Sequence, residues 1–148
     1  MLLQICNGMD LLIEHIGSTA IPGLAAKPTI DILIGIKDLE GAGGIIPLLQ
    51  SAGYVYVPEF ELDMPERRYF YKGRKVEDGF HLHMVEAGSP FWKRHLAFRD
   101  HLRIHPDEVR EYEKLKIALA NKFRDDREGY TEAKTEFITR IEKAALAG

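Results

Sequence analysis

Residues 29–36 read TIDILIGI, apolar at nearly every position apart from Asp31. A run of that length and composition is the pattern of a strand buried inside a sheet, and it commits the chain to building one. It also poses a chemical problem. A carboxylate on a buried strand is costly unless it is paired, hydrogen-bonded or bound to metal. Asp31 is therefore either a cap on a neighbouring loop, reached from the strand end, or part of a site.

The rest of the chain supplies the partners of that strand. The first half is rich in β-branched residues, glycine and proline, whereas the sequence from about residue 89 onward has helical patterning. Residues 11–16 (LLIEHI) form a short strand candidate that ends at Gly17, and residues 18–26 suit a loop opening a short helix. Residues 39–52 read as a helix that Gly53 stops, although Pro47 and three glycines interrupt its beginning. Strands are expected at residues 54–57, 68–72 and 80–86, the last two joined as a hairpin through a charged turn holding Gly73 and Gly79. A helix follows over residues 90–104. Another starts at His105-Pro106-Asp107-Glu108, with proline in its first turn and acids near its N-terminus. Thr131 is the expected N-cap of a last helix running to about residue 145. The sum is an α+β fold: a mixed sheet of about five strands followed by three helices. The 148 residues fit one domain, 1–148, with enough chain to bury a core.

Charge and cysteine content narrow the function. Twenty basic and 23 acidic side chains leave a formal charge of −3. Coating nucleic acid or an anionic membrane calls for a basic surface, so neither is expected, while a local pocket for a small phosphate ligand remains compatible. Cys6 is the only cysteine, which excludes an intramolecular disulfide and a cysteine zinc cage. The first residues lack the basic region of a secretory leader, and no apolar run approaches the ~20 residues of a membrane helix. The expected location is the cytosol.

Several residues could carry chemistry. Gly17-Ser18 at a strand end would let backbone amides and a hydroxyl approach a phosphate where a helix begins; Ser18 as a simple helix cap is the plainer alternative. His81 and His83 stand two apart on a strand, so both face one side. Neutral imidazoles suit Zn, Mn, Ni or Fe better than Mg, and a histidine can also act as general base. His15 could point into the same cavity. His101 and His105, four apart, make either a ligand pair or a solvated helix face. Lys116 lies on an apolar stripe with Val109, Tyr112, Leu119 and Phe123. Lys134 lies on another with Phe137, Ile138, Ile141 and Ala145. Such lysines either snorkel outward or help helices close over an anionic pocket. Arg67 and Arg68 could clamp a phosphate, but only one of two adjacent strand residues can face it.

Residues 15–33, HIGSTAIPGLAAKPTIDIL, resemble the signature of the GrpB family, whose fold belongs to the nucleotidyltransferase superfamily. Later pieces are similar too: RRYF at 67–70, HLH at 81–83, FRDHLR at 98–103 with His105-Pro106, YEKLK at 112–116 and YTEAK at 130–134. The resemblance spans residues 14 to about 145. It implies a nucleotidyltransferase-like sheet packed with helices and a partner that is a nucleotide or phosphorylated small molecule. Gly17, Ser18 and Lys27 of the signature would hold phosphate, helped by Arg67 or Arg68, Lys116 and Lys134. Asp31 and His83 would be catalytic, and a divalent metal (Mn, Zn or Mg) would be held by Asp31, His81 and His83.

Two departures qualify the resemblance. Relatives carry a longer N-terminal segment with an additional helix, for which this chain has only about ten residues. Superfamily enzymes also use two carboxylates separated by one residue to hold metal against a triphosphate, and here Leu33 takes the second place. Two functions therefore follow: a nucleotidyl- or phosphoryl-transferring enzyme, or a non-catalytic phosphate-ligand module. A similar domain fused to dephospho-CoA kinase in some bacteria links the module to coenzyme A chemistry.

Overall fold

Strand β2, Thr29–Ile36, sits inside the sheet with β1 (Leu12–Ile16) antiparallel on one edge. On its other edge β5 (Gly79–Glu86) runs parallel to it. The computed structural model describes residues 11–17, 20–22, 29–73 and 79–147. Strand β4 (Arg67–Lys72) pairs antiparallel with β5, and the two-residue strand β3 (Val55–Tyr56) closes the far edge. The order across the five-stranded sheet is β1-β2-β5-β4-β3. The hairpin expected around Gly73 and Gly79 is present, and its tip at residues 74–78 lies outside the described residues.

Strand alternation gives the sheet two different faces. One carries Ile34, Ile36, Phe70, Leu82 and Met84, buried under helix α1 (Ala42–Ser51) through Ala42, Ile45 and Leu49. Phe70, Leu82 and Met84 are fully buried, each stabilising the fold by about 1.5–3 kcal/mol relative to exposure. The segment expected as one helix from residue 39 instead begins as a 3-10 turn at Leu39–Gly41. Asp38 caps that turn, its Oδ1 accepting from the Gly41 amide at 3.0 Å.

The opposite face carries Ile16, Leu33 and Val85 and is covered by helix α2, Pro90–Arg103, through Phe91, Trp92 and Leu96. The sequence permits this close approach at Gly35, where a β-carbon would lie 2.6 Å from the Trp92 ring. Ser89 caps α2 by accepting from the Trp92 amide, and Pro90 occupies the first turn. Helices α3 (Pro106–Lys122) and α4 (Arg127–Ala147) pack against α2 in a second core of Leu102, Val109, Tyr112, Phe137 and Ile141, which Ile21 joins. The expected cap at Thr131 is incorrect. Helix α4 starts at Arg127, where Asp126 Oδ1 accepts from the Gly129 amide at 3.0 Å; Thr131 lies within the helix. Among the described residues no helix is long and apolar enough to cross a membrane.

Candidate active site

Asp31 and His81 are register partners across the parallel β2–β5 pair, and His83 is one alternation further along β5. All three project from the α2 face. His83 Nε2 lies 3.1 Å from Asp31 Oδ1, and His81 Nδ1 lies 3.6 Å from the same oxygen. The sheet continues the cluster onto β4, where Tyr69 stands opposite His83. The Tyr69 ring meets His83 edge-on at 5.4 Å and His81 at 5.7 Å. Arg67 lies over Tyr69 at 5.0 Å and approaches His83 Nδ1 at 3.4 Å through Nη1.

This arrangement settles the proton on His83. Burial holds its pKa below the ordinary value, outweighing the attraction of Asp31, so the ring is neutral and makes a hydrogen bond rather than an ion pair. A guanidinium can only donate and a carboxylate only accepts. Arg67 therefore donates to Nδ1, and Nε2–H donates to Asp31. His83 has both nitrogens engaged and acts as a bridge that orients Asp31 and Arg67. Burial lowers the pKa of Arg67 as well. Among the described residues, Arg67 Nε and His81 Nε2 are the buried side-chain polar atoms with no hydrogen-bond partner, and both belong to this cluster.

Gly17 borders Asp31 on its other side. Its φ of +77° favours glycine, and a β-carbon there would come within 2.6 Å of Asp31 Oδ2. The strand end therefore lets bare backbone reach the carboxylate. Helix α2 adds His95, whose ring stacks on Phe91 at 4.1 Å. Burial first, then the neighbouring His83 and Arg94, push its pKa down to about 4, with Asp31 opposing the shift. Sequence reasoning missed both His95 and Arg99. Arg99 is buried and donates to Glu14 Oε2 at 2.8 Å and to the His15 carbonyl at 3.1 Å, tying α2 to β1 beside the site. A signal was available, since Phe91, His95, Arg99 and Leu102 share one helical stripe.

The remaining expected site residues are dispersed. Ser18 and Lys27 lie outside the described residues. Arg68 alternates to the face opposite Arg67 and pairs with Glu61 at 3.1 Å. His15 stands opposite Ile32, so it too projects from the face away from Asp31, which corrects its expected place in the cavity. Lys116 and Lys134 each lie over the tyrosine four residues earlier, Tyr112 at 5.3 Å and Tyr130 at 6.0 Å. Lys116 and Tyr130 line a shallow cavity with Glu113, Ile117 and Ala120. Leu33 is fully buried with Ile16, Val85 and Phe91. Glu14, on the same sheet face, is engaged by Arg99. Among the described residues, the donor set around Asp31 thus does not fit the paired-carboxylate magnesium site of nucleotidyl transfer.

Comparison with known proteins agrees with the fold and the motifs. The chain is 40% identical over 144 residues to the UPF0157 protein YqkA of Bacillus subtilis, covering 97% of this chain and 41% of that protein. It is similar to the crystal structure of the conserved protein GrpB from Enterococcus faecalis at a TM-score of 0.83 and 37% identity, covering 99% of this chain and 86% of that one. The terminal uridylyl transferase 4 from Trypanosoma brucei shares the fold at a TM-score of 0.52 and 12% identity, over 82% of this chain and 38% of that enzyme. A dephospho-CoA kinase of Mycolicibacterium paratuberculosis is 27% identical, over 84% of this chain and 36% of its own length. The model of the GrpB protein family matches residues 1–144, and the chain belongs to the GrpB family on an α+β fold shared with a nucleotidyltransferase.

Proposed function

We propose that the chain binds a nucleotide or another phosphorylated small molecule at the Gly17–Asp31 edge of the sheet and transfers its nucleotidyl or phosphoryl group. The observation that carries this reading is the Asp31 carboxylate, set against a bare glycine turn and oriented by neutral His83, itself held by Arg67. The Gly17 turn, with Ser18 next in sequence and Lys27 further along the same segment, would cradle phosphate. Arg67 would offset its charge, and Asp31 would orient and deprotonate the attacking hydroxyl. The uridylyl transferase of similar fold is described with bound CTP, which supports a nucleotide as the first ligand to test.

Among the described residues a magnesium pair has no free second carboxylate beside Asp31, since Glu14 is engaged by Arg99. For a transition metal to use Asp31, His81 and His83, the Nε2–H of His83 would have to leave Asp31. Binding in this reading does not require a metal, and His81 and His83 position Asp31. Leu33 supports a second reading, in which the chain keeps the pocket as a non-catalytic module for a phosphorylated ligand. The similarity to a dephospho-CoA kinase makes coenzyme A precursors suitable ligands for that reading.

The test is a thermal-shift screen of nucleotides, coenzyme A precursors and sugar phosphates, each with and without Mg, Mn or Zn. A ligand at 100 times its Kd stabilises the native state by about 2.7 kcal/mol. Stabilisation that disappears in Arg67→Ala and Asp31→Asn supports the site. Turnover of that ligand then separates the enzyme from the module. A flat screen across all three ligand classes overturns both.

A further inference from the structure

The junction between α2 and α3 holds a second constellation that the Asp31 site does not use. His101 lies in the last turn of α2, His105 in the break between the helices and Glu108 in the first turn of α3, and the elbow brings the three together. Their ligand-type atoms, one from each residue, all lie within 4.8 Å of one another; among the described residues no other trio of histidine, cysteine or carboxylate groups does so. The two imidazoles stack at 4.0 Å with their planes 18° apart. His101 Nε2 contacts Glu108 Oε2 directly.

The hydrogen bonding prepares these groups to ligate. His105 Nδ1 lies 2.6 Å from the His101 carbonyl oxygen and 4.0 Å from Glu108 Oε2, so a small rotation of this partly exposed ring would bring Nε2 to an ion. A carbonyl only accepts, so Nδ1 carries a proton, and in this tautomer the ring offers its lone pair at Nε2. That is the tautomer of a metal-ligating histidine, with a backbone carbonyl orienting the ring from behind. The surroundings also suit an ion. The side chains of His101 and Glu108 are 15% and 30% exposed, which gives partial shelter, while His105 at 44% leaves an entry path. Nearby cations are engaged by other groups: Arg103 donates to the Ala20 carbonyl and Arg110 pairs with Asp107.

We propose that His101, His105 and Glu108 form a binding site for a divalent transition metal at the α2–α3 elbow. Two imidazoles and one carboxylate select zinc, cobalt or nickel over magnesium and calcium, which prefer all-oxygen shells. The ion takes the place of the direct contact between His101 and Glu108 and leaves the remaining coordination positions to water. Because the ligands come from the end of α2, the linker residue His105 and the first turn of α3, occupancy fixes the angle between the two helices. The site is separate from Asp31, and the proposal does not depend on the phosphate-ligand reading.

The test is calorimetric titration of the full chain with zinc near neutral pH, backed by the visible absorption of bound cobalt. One ion per chain is expected. His105→Ala and Glu108→Gln should each weaken binding at least about tenfold, the scale on which even outer-shell changes act. Both alter partly exposed side chains, and circular dichroism melts confirm that each variant is folded. Asp31→Asn should bind zinc as the native chain does. Absence of zinc binding to the folded protein overturns the proposal. So does binding that survives in both elbow variants, wherever the ion then sits.

Discussion

Removing the imidazole of His95 should flatten the acid limb of the protein's stability profile. Its ring is packed on Phe91, and burial together with His83, Arg94 and Arg67 brings its pKa from 6.5 to about 4 in the folded state, against the pull of Asp31. The unfolded chain, with its histidine near 6.5, takes up the proton first as the solution is acidified. The neutral ring therefore contributes stability above about pH 6.5, and that contribution is lost as pH falls toward 4. At about 1.4 kcal/mol per pKa unit, the whole shift is worth roughly 3 kcal/mol, of which about 2 kcal/mol falls between pH 7 and pH 5. His83 is shifted in the same direction and remains in both proteins, so its contribution largely cancels in a comparison. The assay is urea unfolding of the native chain and His95→Phe at the two pH values; phenylalanine keeps a flat ring over Phe91 and cannot titrate. The native chain should lose about 2 kcal/mol more than the variant on going from pH 7 to pH 5. Parallel losses would refute the argument, because His95 would then titrate as a solvated residue.

Three further substitutions probe the frame of the site. Gly17→Ala puts a β-carbon 2.6 Å from Asp31 Oδ2 at a φ of +77°; it should destabilise by about 1–3 kcal/mol in thermal melts and shift the His83 imidazole resonances. Arg99→Ala removes the guanidinium that holds Glu14 at 2.8 Å and the His15 carbonyl at 3.1 Å. A cost of about 1–3 kcal/mol in chemical denaturation is expected, because Glu14 and Asp100 can regain water. Leu33→Asp buries a carboxylate under Phe91 and should cost at least about 3 kcal/mol, with no recovery of the melting temperature on adding magnesium. Recovery would show that the position can ligate and would return the chain to two-metal chemistry. Micromolar magnesium binding by the native chain would do the same.

What could be read from the sequence and what could not divides along a physical line. The sheet was legible because a buried strand has a compositional pattern and strand alternation has a period of two. Thr29–Ile36 matches its expected bounds, and the same rule that put His81 and His83 on one face puts Arg67 and Arg68 on opposite faces. Applied to β1, it would also have turned His15 away from Asp31, since Ile16 pairs with Asp31. The start of α4 was misplaced for a local reason: Thr131 and Asp126 are both good caps, and Asp126 has the Gly129 amide within reach. His95 and Arg99 were hidden for a different one. Their roles depend on how α2 lies across the sheet, which is fixed by Gly35 accepting the Trp92 ring and by Arg99 reaching Glu14 on a strand 85 residues away. No periodicity within α2 contains those distances. Its stripe of Phe91, His95, Arg99 and Leu102 does, however, place two polar groups among apolar neighbours. That anomaly marked Lys116 and Lys134 as candidates, and it carries more weight in α2 because this helix covers the face that bears Asp31. A polar residue on an apolar stripe is therefore most informative when its helix faces a sheet strand with a buried charge of its own.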